Sequence, residues 1–408
     1  LAALASHQVG RGHVCIDLKN LLANAGNTLS LPPEDATAAD PKREQNGCPS
    51  PADPLAGVSM EAIMSALEAS MAVSDGSLTT PLVVNGTRLY LRRFWRYEKH
   101  IADGIRNRLA ETSALDDPEA PTAQTLASAL KVLFPPGKEV DYQKLACALA
   151  ARSRFAVITG GPGTGKTTTV VNLLAALQAV AGEDRARDGR KYRIRLAAPT
   201  GKAAARLNES IGGAVSRLPL TQLPGQVLID DIPTRVTTLH RLLGSRPDSR
   251  RFRHNRDNPL LVDILVIDEA SMVDVDLMAS VFEALPEHAQ LILLGDKDQL
   301  ASVDAGAVLG ELCQRARDAH YRPDTAHWLE RVTGQALPED LVDPQGQALD
   351  QAVAMLRKSY RFSEGSGIRQ LAEAVNTNTL DAAMLEQCRR GYFEDVIWLN
   401  GEGARRDP

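Results

Sequence analysis

Residues 160–167 read Gly-Gly-Pro-Gly-Thr-Gly-Lys-Thr, the G-x-x-x-x-G-K-T pattern of a phosphate-binding loop. Its context narrows the fold further. Phe155-Ala156-Val157-Ile158-Thr159 is a short apolar, partly β-branched run that predicts a buried strand, and from Thr168 to Val180 the apolar residues recur at helical spacing. A glycine-rich turn between a strand and a helix N-terminus lets the backbone wrap phosphates closely, because no Cβ blocks the approach. Successive amides and the positive end of the helix dipole then face the anion. Gly160, Gly161, Pro162, Gly163, Thr164, Gly165, Lys166, Thr167 and Thr168 are therefore the candidate ATP-binding residues. Lys166 is placed to reach the β- and γ-phosphates and Thr167 to put a hydroxyl on Mg²⁺. The bland alternative is a glycine-rich turn with a chance lysine, which the flanking strand and helix make a poor account of the stretch.

The remaining pattern predicts an α/β fold with a parallel sheet. Arg193 to Ala198 reads as a strand, and Thr200 is a natural N-cap for the helix that follows. Leu261-Val262-Asp263-Ile264-Leu265-Val266-Ile267 is a nearly continuous apolar run, as a parallel strand buried on both faces requires. It ends in Asp268-Glu269, and acids at the carboxyl end of a central strand stand beside the phosphate site. Asp268 is the candidate Mg²⁺ ligand and Glu269 the candidate base for the attacking water. Gln290 to Leu294 predicts the next strand, and Gly295-Asp296-Lys297-Asp298-Gln299-Leu300 follows it. Gln299 is placed to contact the γ-phosphate, or it is an ordinary turn residue. Upstream, Gln143 lies on a predicted helix just before the loop; its amide has both a donor and an acceptor and can read an adenine edge. Downstream, Arg361 is either an arginine finger at the nucleotide or a surface arginine at a helix end.

Nucleic-acid contacts have to be local, because the net charge is −5 and the chain as a whole does not attract polyanions. Thr200, Lys202 and Arg206 gather at a helix N-terminus that suits an anion such as a DNA phosphate, or they belong to a capped surface helix. Residues 235–256 hold seven arginines against the single acid Asp248, and Thr238 and His240 fall within this stretch. It suits either a single-strand channel or a solvated loop. Arg92 to His100 is basic and aromatic; stacking on bases is one reading, and packing or protein docking of an amphipathic helix is the favoured one. The five cysteines are scattered with no C-x-x-C pair, which argues against a disulfide framework or zinc site and suits a reducing cytoplasm. No apolar run approaches the roughly 18 residues of a membrane span.

Composition shifts divide the chain into an amino-terminal domain at 1–115, small and α+β or mostly helical, with a Leu82–Leu91 hairpin turning at Asn85-Gly86. A long loop is expected at 27–57, a linker at 116–136 that includes a short helix from Thr125 to Leu133, a first motor lobe at 137–320 with a basic insert near 245–260, and a partial second lobe at 321–408. The start at Leu1 without Met and the end at Pro408 suggest a fragment.

Taken in order, Gln143, residues 160–168, Ala198-Pro199-Thr200-Gly201-Lys202, Thr238-Leu239-His240-Arg241, Val266 to Met272, Gly295 to Leu300 and Tyr360-Arg361-Phe362 resemble the ordered motifs of superfamily 1 DNA helicases. Within that superfamily the chain is most similar to the RecD family, the α subunits of exodeoxyribonuclease V (RecBCD). The resemblance rests on Gly161-Pro162-Gly163-Thr164, the Gly295–Gly306 block, and Arg88-Leu89-Tyr90-Leu91 ahead of the basic aromatic helix. It implies RecA-like lobes and an ATP- and Mg²⁺-dependent 5′→3′ motor on single-stranded DNA at duplex ends. Lys166, Glu269, Gln299 and Arg361 would be its catalytic residues. It further implies an amino-terminal domain that docks partners, a heterotrimer with RecB-like and RecC-like subunits acting in recombinational repair, and a nuclease site in another subunit. The family has two later motifs in its second lobe, including another arginine at the nucleotide, and the chain stops before them. Residues 1–408 alone are thus expected to bind ATP-Mg²⁺ without unwinding DNA. Two other readings stand beside this one: a stand-alone RecD-like helicase, which amino-terminal helix-hairpin-helix repeats would favour and none are seen, and a nucleotide-switch ATPase that holds partners without translocating.

Overall fold

The computed structural model describes residues 1–29, 55–137, 139–184, 188, 190–249, 251–299, 305–361, 365–377 and 379–399. Most of the expected loop at 27–57, Leu300 and residues 301–304 of the Gly295–Gly306 block, and Phe362 lie outside the described residues.

Near the amino terminus, β1 (Cys15–Asp17), β2 (Val73–Ser74), β3 (Leu82–Asn85) and β4 (Arg88–Leu91) form a four-stranded sheet in the order β1-β4-β3-β2. The expected hairpin is present, shifted by one residue. Asn85 pairs with Arg88, so Gly86-Thr87 is the two-residue loop. Gly86 takes φ 58°, which suits a hairpin turn with glycine at its first central position. The inward faces of these strands close over a small core around Ile16, Leu18, Leu21, Ile63, Leu67 and Leu89.

The larger sheet holds β5 (Phe155–Gly160), β6 (Ile194–Ala198), β7 (Val236–Thr238), β8 (Ile264–Ile267), β9 (Gln290–Gly295) and β10 (Val353–Leu356), in the order β10-β5-β9-β8-β6-β7. Every pairing in it is parallel. Strands β5, β8 and β9 are buried at every position, as their apolar runs demand, because helices cover both faces of the sheet. On one face, Ala156, Ile158, Val266 and Ile292 pack under the helices Pro121–Leu133, Tyr142–Arg152, Lys166–Glu183 and Gly201–Val215. On the other, Phe155, Val157, Leu265 and Leu291 pack with the helices Arg92–Ala110 and Val275–Ala284.

Three boundaries differ from expectation. First, β10 pairs with β5 in register, Leu356 opposite Gly160. The first lobe's sheet therefore extends well past residue 320. Second, the short helix expected at Thr125 to Leu133 within the linker starts earlier, at Pro121, and packs as part of the motor: its Ala123, Leu126, Ala129 and Leu130 are fully buried. Proline at its first turn needs no amide partner there, and Trp328 Nε1 donates to Leu115 O at 2.6 Å just ahead of it. Third, the basic aromatic helix Arg92–Ala110 seats Phe94, Ile101 and Ile105 in the motor's core. Its Arg108 is 5 % exposed and donates to the carbonyls of Ala289 (3.2 Å) and Pro286 (3.0 Å). The packing reading holds for this helix, and the surface it packs against belongs to the motor. Among the described residues the insert near 245–260 forms two tight turns with isolated bridges, Arg246 to Ser249 and Asn255 to Asn258, rather than a ladder.

Candidate nucleotide site and nucleic-acid face

Parallel strands all end on the same side, so the strand order decides what meets there. The carboxyl ends of β10, β5, β9 and β8 deliver, side by side, Arg357 onward, Gly160, Asp296 and Asp268. The loop after β5 turns sharply. Gly163 and Gly165 take φ 78° and 81°, a region L-residues avoid, and Gly165 is the N-cap of the Lys166–Glu183 helix. Thr164 Oγ1 donates to Gly161 O at 2.8 Å and braces the turn. Lys166 Nζ donates back to Gly160 O (2.6 Å) and Gly161 O (3.3 Å). The loop thus carries its own cation across its mouth.

Two other segments clamp this loop. Gln143 Nε2 donates to Thr164 O at 3.0 Å. The glutamine expected to read a base is committed here to the loop's backbone, and a Cβ on Gly165 would lie 2.2 Å from that same nitrogen. From the other side, the chain leaving β10 crosses the loop: Tyr360 N donates to Gly163 O at 2.8 Å, and a Cβ on Gly163 would lie 2.4 Å from Arg361 Cβ. Arg361 is exposed and follows a strand, not a helix. Ser359 has no signal in the sequence, and Tyr360 stands out there only as part of the Tyr360-Arg361-Phe362 run, because their contacts depend on β10 lying beside β5.

Opposite Lys166, the β8 end carries the acids. Asp268 N donates to Ala197 O at 2.9 Å, fixing the strand end. Burial, and then the charge of Glu269, push the Asp268 carboxyl up to about 6, against the pull of Lys166. Glu269 takes φ 52°, a costly conformation for a residue with a Cβ. Its Oε2 is buried with no hydrogen-bond partner among the described residues, and so is Ser271 Oγ. Two adjacent acids, one with a buried and unpartnered oxygen, fit a divalent cation that would balance their charge. Among the described residues no group of three or more His, Cys, Asp or Glu forms a cage for a metal. Thr167 and Asp268 suit Mg²⁺, which keeps waters and binds through one or two protein oxygens and substrate phosphates. Between the acids and the loop, Lys297 N donates to Thr159 Oγ1 at 3.1 Å. Thr159, a fully buried hydroxyl in an apolar strand, ties β9's exit to β5, a role its position in the sequence did not reveal. Gln299 is exposed, and its N–H donates to Asp296 O at 3.3 Å.

The nucleic-acid candidates collect at the other half of the same edge. Ala198 pairs with Thr238, so the β6 and β7 exits are neighbours. Thr200 Oγ1 accepts from Ala203 N at 3.2 Å and caps the Gly201–Val215 helix. Thr238 Oγ1 accepts from Arg241 N at 3.3 Å in the same way. Lys202, Arg206 and His240 are exposed beside these caps, and Phe252 meets the His240 ring edge-on at 5.8 Å. Among the described residues no helix is long and apolar enough to cross a membrane.

Residues 1–90 match the family described as RecBCD enzyme subunit RecD, N-terminal domain, and residues 143–305 match an AAA domain. The chain is 35% identical over 387 residues to RecBCD enzyme subunit RecD of Haemophilus influenzae, covering 94% of this chain and 57% of that protein. It is 36% identical over 403 residues to the same-named protein of Mycolicibacterium smegmatis, covering 98% and 57%. The ATP-dependent RecD2 DNA helicase of Deinococcus radiodurans is 36% identical over 229 residues, 56% of this chain and 26% of that helicase. The chain spans rather more than half the length of the RecD relatives it matches. With a RecD amino-terminal domain, a P-loop motor sheet and this likeness along nearly its whole length, the chain belongs to the RecD family.

Proposed function

We propose that this chain carries the ATP-hydrolysing motor of a 5′→3′ DNA helicase that works with RecB-like and RecC-like subunits at broken duplex ends in the bacterial cytoplasm. The observation that carries the reading is the convergence of Lys166, Asp268, Glu269 and the 359–361 segment on one glycine loop, with a capped, basic face beside it. Bound Mg²⁺-ATP supplies the phosphoryl group to be transferred. The loop amides and Lys166 hold the phosphates, Thr167 and Asp268 hold the metal, and Glu269 orients the attacking water and takes its proton. Arg361 and Gln299 approach the transferred phosphate from β10 and β9. Thr200, Lys202, Arg206, Thr238 and His240 grip the strand that the motor moves. A shift at the nucleotide reaches the β6 and β7 exits through β9 and β8, which lie between them in the sheet.

The test is ATP hydrolysis by the natural full-length chain, with and without single-stranded DNA, beside Lys166→Ala. Turnover that rises with DNA and vanishes in the variant is the expected result. Unchanged turnover in Lys166→Ala overturns the site, and DNA-insensitive turnover, in the free chain and in the assembled complex alike, overturns the motor in favour of a nucleotide switch.

A further inference from the structure

A second cleft lies away from the loop. It has a volume of about 740 Å³ and runs beside β7, the edge strand, toward the beginning of β6. Residues 229, 230 and 232–235 line it along with the two strands. None of the residues lining it belongs to the glycine loop or to the β8 and β9 ends. Three guanidinium groups line it, those of Arg195, Arg235 and Arg241, against one carboxylate, Asp230. None of the three arginines has an ion-pair partner among the described residues. In a chain of net charge −5 this is a local excess of unpaired positive charge, and a cleft lined by one sign of charge concentrates ions of the opposite sign. Thr237 stands in the same wall, with its hydroxyl buried and unpartnered. The flanks are apolar: Leu242 lines one side, and Ile229, on the other, remains 52 % exposed.

We propose that this cleft binds a nucleotide unit, separate from the ATP site, with its phosphate on the arginines and its sugar and base along the Ile229 and Leu242 walls. Forked guanidinium donors match phosphate oxygens two at a time. The volume falls within the range of small-ligand pockets, of roughly 300–1,000 Å³. Either a free nucleotide or one residue of a DNA strand presents this chemistry. The cleft includes no residue of the ATP site and none of the residues assigned to grip the moving strand, so the response of Arg195 and Arg235 decides the proposal separately from the motor reading.

The experiment is hydrogen–deuterium exchange on the full-length chain carrying Lys166→Ala, with thymidine 5′-monophosphate, a 5′-phosphorylated oligothymidylate, or polyglutamate as probe. Slower exchange is expected in peptides covering 193–197 and 229–236. Protection by the monophosphate identifies a free nucleotide as sufficient; protection by the oligonucleotide alone identifies a strand. Arg195→Ala/Arg235→Ala, added to that background, should raise the half-saturating concentration roughly tenfold or more, since both charge-assisted contacts to the phosphate are lost. Both side chains are exposed, so the fold should tolerate the change, and basal ATP hydrolysis of the double variant with Lys166 intact should match wild type. Arg195→Lys/Arg235→Lys, which keeps charge but loses the fork, should fall between. No protection by either nucleotide probe, protection indifferent to the double variant, or protection by polyglutamate alone overturns the proposal.

Discussion

Gly163→Ala tests whether the segment leaving β10 is a working part of the nucleotide site. At φ 78° an alanine in the left-handed region costs about 1–2 kcal/mol. Its Cβ would also sit 2.4 Å from Arg361 Cβ and 3.3 Å from Arg361 N, so something must move. The cheapest movement is for the exposed segment at 359–361 to lift, because Tyr360 is 63 % exposed. That breaks the 2.8 Å bond from Tyr360 N to Gly163 O, at about 1 kcal/mol. The total is about 2–3 kcal/mol, or roughly 5–10 °C in the melting temperature of a lobe this size. Lifting the segment also withdraws Arg361, and an arginine acting on transition-state charge is worth about a thousandfold or more in kcat. ATP turnover should therefore fall at least about a hundredfold. Arg361→Ala should reproduce the kinetic loss without the thermal one. Gly212→Ala, in an open helical position with nothing within 4 Å of the new Cβ, should stabilise by about 0.5–1 kcal/mol. Calorimetry and steady-state hydrolysis read both effects. Wild-type melting and turnover in Gly163→Ala would refute the clamp.

The acid pair makes a pH prediction. The Asp268 carboxyl is raised from 3.8 to about 6 in the fold, so the folded state holds this proton more tightly than the unfolded chain does. The stability linked to it is fully present below about pH 3.8 and lost as pH rises through about 6, amounting to about 3 kcal/mol. Denaturant titrations of cation-free protein at pH 5 and 7.5 should show Asp268→Asn gaining on wild type at the higher pH; parallel behaviour of the two proteins would count against the crowded acids. The helix Pro121–Leu133 yields a packing prediction. Leu126 is fully buried, so Leu126→Ala should cost about 2–5 kcal/mol by chemical denaturation, where a linker residue would cost nothing measurable.

How much of this was legible beforehand depends on how local each signal is. The glycine loop, its strand and its helix are contiguous, so residues 155–180 announced themselves, as did the Asp268-Glu269 pair at the end of a short β-branched run that suits a buried parallel strand. The hairpin at 82–91 was readable for the same reason, although the register moved its turn by one residue.

The amino-acid sequence by itself determined the phosphate loop, the acidic strand end, the order of the motifs and the family they resemble, because each is a short run whose chemistry is complete in its own residues. Only the tertiary structure decided which strand stands next to which. Val353-Ala354-Met355-Leu356 carries no mark of its neighbour, yet pairing with β5 rather than with a second lobe is what lays Tyr360 across Gly163. Likewise the amphipathic pattern of the Arg92–Ala110 helix announced a buried face without saying what would cover it, and the fold covered it with the motor sheet, as it did the Pro121–Leu133 helix. Periodicity reports that a face must be buried; partner choice is a long-range competition among all the faces the chain makes.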